Sequence, residues 1–202
     1  MQLIVISHPD IITNEADTIN ALFDEGLEVF HLRKPTASEN ELRDLLRKIN
    51  KKNYSGIAIH QDHSMAKTVG INRIHFSETN RLTTTEEELK KWKTENYILS
   101  TSIHSIDDHE SLSDNFSYTF LGPVFESISK PGYKPRSEEL IQLKKEENRR
   151  VKIIAIGGIT GDKIEKVEQA NFDGVALLGT IWNDTANAIK VFRKCQQNVN
   201  MY

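Results

Sequence analysis

One cysteine, Cys195, stands in 202 residues, so the chain can form neither an internal disulfide nor a cysteine metal cluster. No apolar run approaches the roughly 20 residues of a membrane span. Met1 to Ser7 has the look of a strand, with no basic flank and no cleavage-type site, so no signal peptide is expected. Neither GxGxxG nor GxxxxGK[ST] occurs, which leaves dinucleotide and P-loop readings without a motif. The 26 Lys and Arg do not exceed the 29 Asp and Glu, and the net charge of −3 gives no footprint for nucleic acid or an anionic membrane. These exclusions point to a soluble, cytoplasmic enzyme or ligand-binding domain.

What the chain has is regular alternation. Leu3 to Ser7 is a continuous apolar run, the pattern of a strand buried on both faces. A helix follows over about Asn14 to Asp24, with Ala16, Ile19, Leu22 and Phe23 at helical spacing and Gly26 ending it. Val29 to Arg33 is the second strand. Ser38 and Glu41 form a capping box for a helix through Ile49. Strands then read at Ile57–His60, Arg73–Ser77, Tyr97–Ser102 and Tyr118–Gly122, separated by helices near 63–69, 86–92 and after Ser105. Pro123 to Arg136 is a long loop, the length at which lids and binding loops occur. Charged residues from Ser137 to Arg150 read as a solvated helix, and a last helix runs from about Thr185 to Gln196. Eight strand–helix units without a composition break imply a parallel eight-stranded (β/α)8 TIM barrel of class α/β. We expect one domain over residues 1–202, with 197–202 a loose tail.

Two glycine turns organise the second half. Val151 to Ile156 is an apolar run that stops at Gly157-Gly158, with Thr160 opening a helix; Gly174 to Leu178 repeats the arrangement and stops at Gly179-Thr180. A buried strand, a glycine and a helix N-terminus suit a phosphate group, because free N–H groups and the helix dipole face the anion. In (β/α)8 barrels the loops after strands seven and eight commonly carry that site.

Active sites of such barrels lie at the C-terminal strand ends. The residues there are His31 and Arg33, His60 and Gln61, His75 and Ser77, then Ser102 and His104, with Ser127, Ser129 and Lys130 in the strand-six loop. Period-two alternation sets His31 with Arg33, His75 with Ser77, and Ser102 with His104. Four of the seven histidines thus converge on one end of the barrel. Three uses are open for them: satisfied core groups, acid–base catalysis near neutral pH, or a histidine metal site. The metal use ranks lowest, with Asp62 the only carboxylate close in sequence. Arg33 and Lys130 are the cations best placed to meet an anion.

The motifs resemble the thiamine-phosphate synthase/TenI superfamily. The resemblance runs through nearly the whole chain and rests on His31-Leu32-Arg33, Ser102-Ile103-His104-Ser105, the run from Gly122-Pro123-Val124-Phe125 to Ser127-Ile128-Ser129-Lys130, and Ala155-Ile156-Gly157-Gly158-Ile159. It implies a transferase that joins hydroxymethylpyrimidine pyrophosphate to a thiazole phosphate and releases pyrophosphate, with magnesium as cofactor. Under it, Gly157, Gly158, Gly179 and Thr180 hold the thiazole phosphate, beside Ser127 and Ser129. Arg33, Ser102 and Lys130 face the pyrophosphate, and His31 and His104 join them as catalytic candidates. His60, Gln61 and His75 are further pocket residues. The chain departs from the family where magnesium should bind: the Asn-Asp pair falls on His60-Gln61 or, shifted by one, on Gln61-Asp62, and Ser77-Glu78-Thr79-Asn80 replaces Gly-Gln-x-Asp. Asp62 and Glu78 are the nearest substitute ligands. The alternatives are a thiazole tautomerase, which uses no magnesium and carries a histidine where Pro123 stands, and a non-catalytic thiazole-phosphate binding barrel. The partners implied are these small phosphorylated substrates, with a homo-oligomer left open.

Overall fold

The computed structural model describes residues 1–126, 141–146 and 149–201. Eight parallel strands form a closed ring: β1 (Gln2–Ile6), β2 (Val29–Leu32), β3 (Ile57–Ile59), β4 (Arg73–Phe76), β5 (Ile98–Ile103), β6 (Phe116–Leu121), β7 (Lys152–Ile156) and β8 (Gly174–Leu177). Each strand pairs with its neighbours in sequence. β8 closes on β1, with Gln2 opposite Gly174 and Val5 opposite Leu177. The expected (β/α)8 barrel is the fold.

Helices pack outside the ring. In chain order they are α1 (Glu15–Asp24), α2 (Glu39–Lys48), α3 (His63–Val69), α4 (Glu78–Thr83), α5 (Glu86–Thr94), α6 (Asp107–Glu110), α7 (Ile164–Gln169), α8 (Gly179–Trp182) and α9 (Ala188–Asn200). Their starts follow local chemistry. Ser38 and Glu41 make the expected capping box of α2, and Thr85 with Glu88 makes another for α5. Gly70, at φ 81°, ends α3. Among the described residues no helix is long and apolar enough to cross a membrane.

Two parts differ from the sequence reading. Residues 141–146 of the charged segment 137–150 are not helical. Leu143 is buried, its N–H donates to the carbonyl of Ala170, and its carbonyl accepts from the Asn171 side chain, so the segment is pinned along the turn after α7. At the other end α9 runs to Asn200 with Val199 buried, so the tail expected to be loose from residue 197 is helical through Asn200.

The pleat sorts the strand residues into two populations. Val5, Phe30, Leu32, Ile57, Ile59, Ile74, Leu99, Ile153, Val175 and Leu177 pack outward against the helices. Ile4, Ile6, Val29, Tyr118, Phe120, Ile154 and Ala176 fill the inside. Continuing the alternation puts His31, Ala58, His60, His75, Ser100 and Ser102 inside as well. The barrel interior is therefore lopsided. Its β6–β1 side is aliphatic and aromatic, and its β2–β5 side is polar, rich in imidazole and hydroxyl.

Candidate functional site

At the C-terminal end of the polar side three histidines meet. His31 is fully buried in β2, His75 is 2% exposed in β4, and His60 follows β3, partly open to solvent. His31 Nδ1 lies 2.8 Å from His60 Nε2, and His31 Nε2 lies 2.6 Å from the Tyr118 hydroxyl. His60 and His75 stack with ring centroids 4.0 Å apart. His75 contacts two hydroxyls from β5, Ser100 through Nδ1 and Ser102 through Nε2, both at 3.0 Å. Phe120 closes the cluster from β6, its ring 4.7 Å from His31.

Burial sets the charge of this cluster. It holds His31 and His60 well below the usual imidazole pKa, and the neighbouring cationic and imidazole groups add to the effect. Burial, followed by the charges of His63 and Arg33, pushes His75 down to about 3. Burial raises the Tyr118 phenol to about 12. At neutral pH the cluster is uncharged, and each ring nitrogen can donate or accept according to its neighbour.

The other candidates are distributed around this core. Arg33 is exposed just beyond β2, and its backbone is pinned: its N–H donates to Ser7 Oγ at 2.9 Å, and the Ser7 hydroxyl donates to its carbonyl at 2.8 Å. His31 and Arg33 thus separate, one inside the barrel and one at the rim. Ser102 joins His75, whereas His104 is exposed, 3.2 Å from the Gly122 carbonyl and 3.8 Å from Glu78. Ser77 caps α4 by accepting from the Asn80 N–H. The Gln61 amide donates to the Lys34 carbonyl, which draws it toward β2. Asp62 is exposed at φ 52°, ahead of α3. Ser127, Ser129 and Lys130 lie outside the described residues.

Magnesium prefers hard oxygen donors in octahedral geometry. Glu78 stands beside Arg81 and His104, and Gln61 is bonded to the backbone. Among the described residues the one group of three or more ligand-bearing side chains close enough to share an ion is His31, His60 and His75, all nitrogen. The described side chains do not match magnesium's preference.

The glycine turns form a unit with the strand-six loop. Val124 N–H donates to Ile156 O and Phe125 N–H to Gly157 O, so the loop after β6 lies along the end of β7. Gly157 and Gly158 have φ of 97° and 64°. A Cβ on Gly157 would stand 2.7 Å from Pro123, and one on Gly158 would stand 2.2 Å from the Glu126 carbonyl and 2.7 Å from Phe125. Close backbone approach requires glycine here whatever the ligand. The Thr180 hydroxyl donates to Ile159 O, tying the β8 turn to the β7 turn. Lys163, which the sequence reading passed over, donates to Gly158 O at 2.8 Å and sits 4.9 Å from the Phe125 ring centroid. Gly158→Ala should cost about 1–3 kcal/mol by overpacking and displace the strand-six loop. Urea denaturation checks the first effect and limited proteolysis within 122–126 the second. An unchanged midpoint with an unchanged digest would contradict this packing.

A closed ring of parallel strands with polar side chains and two glycine turns at the C-terminal strand ends defines a (β/α)8 barrel of the kind that builds its site on that face. The family model described as thiamine monophosphate synthase matches residues 2–181, and the chain belongs to that family. Among curated relatives, a thiamine-phosphate synthase of Clostridium tetani is 27% identical over 161 residues, covering 77% of this chain and 75% of that protein. A thiamine-phosphate synthase of Lysinibacillus sphaericus is 26% identical over 139 residues, and the match spans 67% of this chain and 63% of that protein's length. The crystal structure of a thiamine phosphate pyrophosphorylase from Bacteroides thetaiotaomicron superposes with a TM-score of 0.75 at 24% identity, covering 100% of this chain and 98% of that one, which supports the fold.

Proposed function

We propose that this chain is a thiamine-phosphate synthase-type transferase. It joins hydroxymethylpyrimidine pyrophosphate to a thiazole phosphate, the reaction that the resemblance in its motifs implies. The observation that carries the reading is the seating of the Gly122–Glu126 loop on the Gly157-Gly158 turn. The two motifs that mark the family are here one physical unit, which favours the same ligand on both. Pro123 occupies the position where a tautomerase would carry its histidine, which favours transfer over isomerisation.

In this reading the C–O bond between the pyrimidine methylene and pyrophosphate breaks, and the electron pair leaves with pyrophosphate. The thiazole nitrogen then gives its lone pair to the methylene carbon, forming the C–N bond. The Gly157-Gly158 and Gly179-Thr180 turns hold the thiazole phosphate and so fix the nitrogen's position. Arg33 and Lys130 stabilise the charge that develops on the leaving pyrophosphate, with Ser102 as a hydroxyl donor. Ser127 and Ser129 complete the wall beside the phosphate. Phe120, packed against His31 and His75, offers the pyrimidine ring an apolar contact.

The test is turnover with both substrates, with and without magnesium. Thiamine phosphate and an equal amount of pyrophosphate are expected; their absence in both conditions would sink the reading. Arg33→Ala should leave the melting temperature unchanged, because the side chain is exposed, and lower kcat/KM by about tenfold or more. Equal losses of stability and turnover would mean that Arg33 serves the fold.

A further inference from the structure

The imidazole cluster has the composition and spacing of a binding site for a transition-metal ion. We propose that His31 Nδ1, His60 Nε2 and His75 Nε2 bind one divalent cation of the zinc class, leaving a fourth position open at the mouth of the barrel. The site does not require the transferase reading, since it concerns occupancy and not turnover.

The argument begins with distance. One ligand nitrogen from each of the three rings lies within 4.8 Å of the other two, and His31 Nδ1 is already 2.8 Å from His60 Nε2. Around a four-coordinate ion with metal–nitrogen bonds of about 2.0–2.1 Å, neighbouring nitrogens stand roughly 3.3 Å apart. The His31–His60 hydrogen bond has to open by a few tenths of an ångström, and His75 has to lean in. His60 and His75 stack with ring centroids 4.0 Å apart, which keeps them adjacent, and one of the two rings has to turn for both nitrogens to face the ion. Three backbones of one rigid ring carry the ligands, so little ordering remains to be done on binding.

The remaining nitrogens supply the second observation. A metal-bound imidazole is normally oriented by a hydrogen bond from its other N–H. With Nδ1 on the ion, His31 donates through Nε2 to the Tyr118 oxygen, 2.6 Å away. With Nε2 on the ion, His75 donates through Nδ1 to Ser100 Oγ at 3.0 Å. The hydroxyl of Ser102, now 3.0 Å from His75 Nε2, is left beside the fourth position. Metal ligation requires neutral imidazole, and burial keeps all three rings neutral.

Donor type selects the ion. Three imidazoles and no carboxylate suit zinc, cobalt, nickel or copper, and suit magnesium poorly. Three protein ligands with an open position is the pattern of zinc sites that admit water or a substrate oxygen. Neutral ligands leave the ion its full double charge, which favours an anionic fourth ligand such as a phosphate oxygen. His60 is the partly open ring, so access is from its side. The ion would stand at the ends of β3 and β4.

The experiment uses the whole chain, stripped with chelator and titrated with Co2+ and then Zn2+. The expected result is one ion per chain, the intense visible absorption of four-coordinate cobalt, and a raised melting temperature. His60→Gln and His75→Gln should each weaken binding by more than about 100-fold, beyond the loss of an outer hydrogen-bond partner. Circular dichroism confirms that each variant is folded. If a variant does not fold, the ring 15N shifts of His31, His60 and His75 in the unmodified protein decide the matter, because only direct ligation moves all three on adding one equivalent of zinc. No one-to-one binding to folded protein, unchanged affinity in both folded variants, or unmoved ring shifts would overturn the proposal.

Discussion

Replacing Lys34 with methionine will destabilise the barrel by about 3–5 kcal/mol, the usual cost of leaving one charge of a buried pair without its partner. Lys34 follows β2, and its side chain is fully buried, as is that of Glu15 in the first turn of α1. Its ammonium has three protons and uses all of them. It donates to the His8 carbonyl at 2.7 Å, to the Asp10 carbonyl at 2.7 Å, and to the Glu15 carboxylate at 2.6 Å. Burial raises the Glu15 carboxyl pKa and lowers that of Lys34, so water's loss opposes both charges and their mutual bonding offsets it. Methionine keeps the length of the side chain and removes the charge. The Glu15 carboxylate then has no counter-ion, and the 8–10 segment loses its tether to β2. Urea denaturation at neutral pH measures the loss. The double variant Lys34→Met, Glu15→Met should recover most of it, since replacing a whole buried pair with apolar groups is commonly near neutral. A single variant within about 0.5 kcal/mol of the parent would show that the pair is not load-sharing with the fold.

The second large effect is acid sensitivity. Each buried imidazole resists protonation in the folded state and takes a proton freely in the unfolded chain. His75 has a folded pKa near 3 against an ordinary 6.5, and His31 and His60 are depressed well below 6.5 as well. The unfolded state therefore binds more protons between those limits, and stability rises with pH across that window. It is fully present above about pH 6.5 and falls below it; for His75 the fall is about 1.4 kcal/mol per pH unit between its unfolded pKa and about pH 3. His31 and His60 act in the same direction and steepen the fall. Denaturant midpoints from pH 7.5 downward, taken with chelator present, check this. His75→Gln should lower the slope by about one proton's worth. A flat profile between neutral pH and pH 5 would mean that the cluster is hydrated.

How much of this was legible in the sequence depends on the kind of signal. Strands such as Leu3–Ile6 and Val29–Leu32 declare themselves because both faces are buried, and capping pairs such as Ser38 and Glu41 are local chemistry. The histidines were legible as residents of the strand ends. Their company was not, because period-two alternation assigns a face within one strand while the register between strands decides who meets. His31 pairs in register with Ala58, which brings His60 beside it one pleat further on. His104, two residues past Ser102, has left β5 and turned to the rim. Tyr118 and Ser100 looked like ordinary strand residues and proved to be the cluster's partners. Lys34 was passed over because lysine is usually exposed, and its carboxylate lies nineteen positions back in another element. The charge of the segment after Ser137 suggests a helix, but Leu143 is held by tertiary hydrogen bonds that no local pattern announces.

The closure of the ring has a consequence for how the chain is made. β1 leaves the ribosome first, yet its partner on one side, β8, is the last strand to emerge. The Trp182 indole that donates to the Ile6 carbonyl is separated from it by 176 positions. Until that stretch is synthesised, β1 has one unsatisfied edge, and seven strands have only each other. An open parallel edge of apolar sequence invites pairing with another nascent copy. The nascent barrel is therefore most vulnerable to aggregation just before β8 appears, and Trp182 is a built-in reporter of the moment when that vulnerability ends.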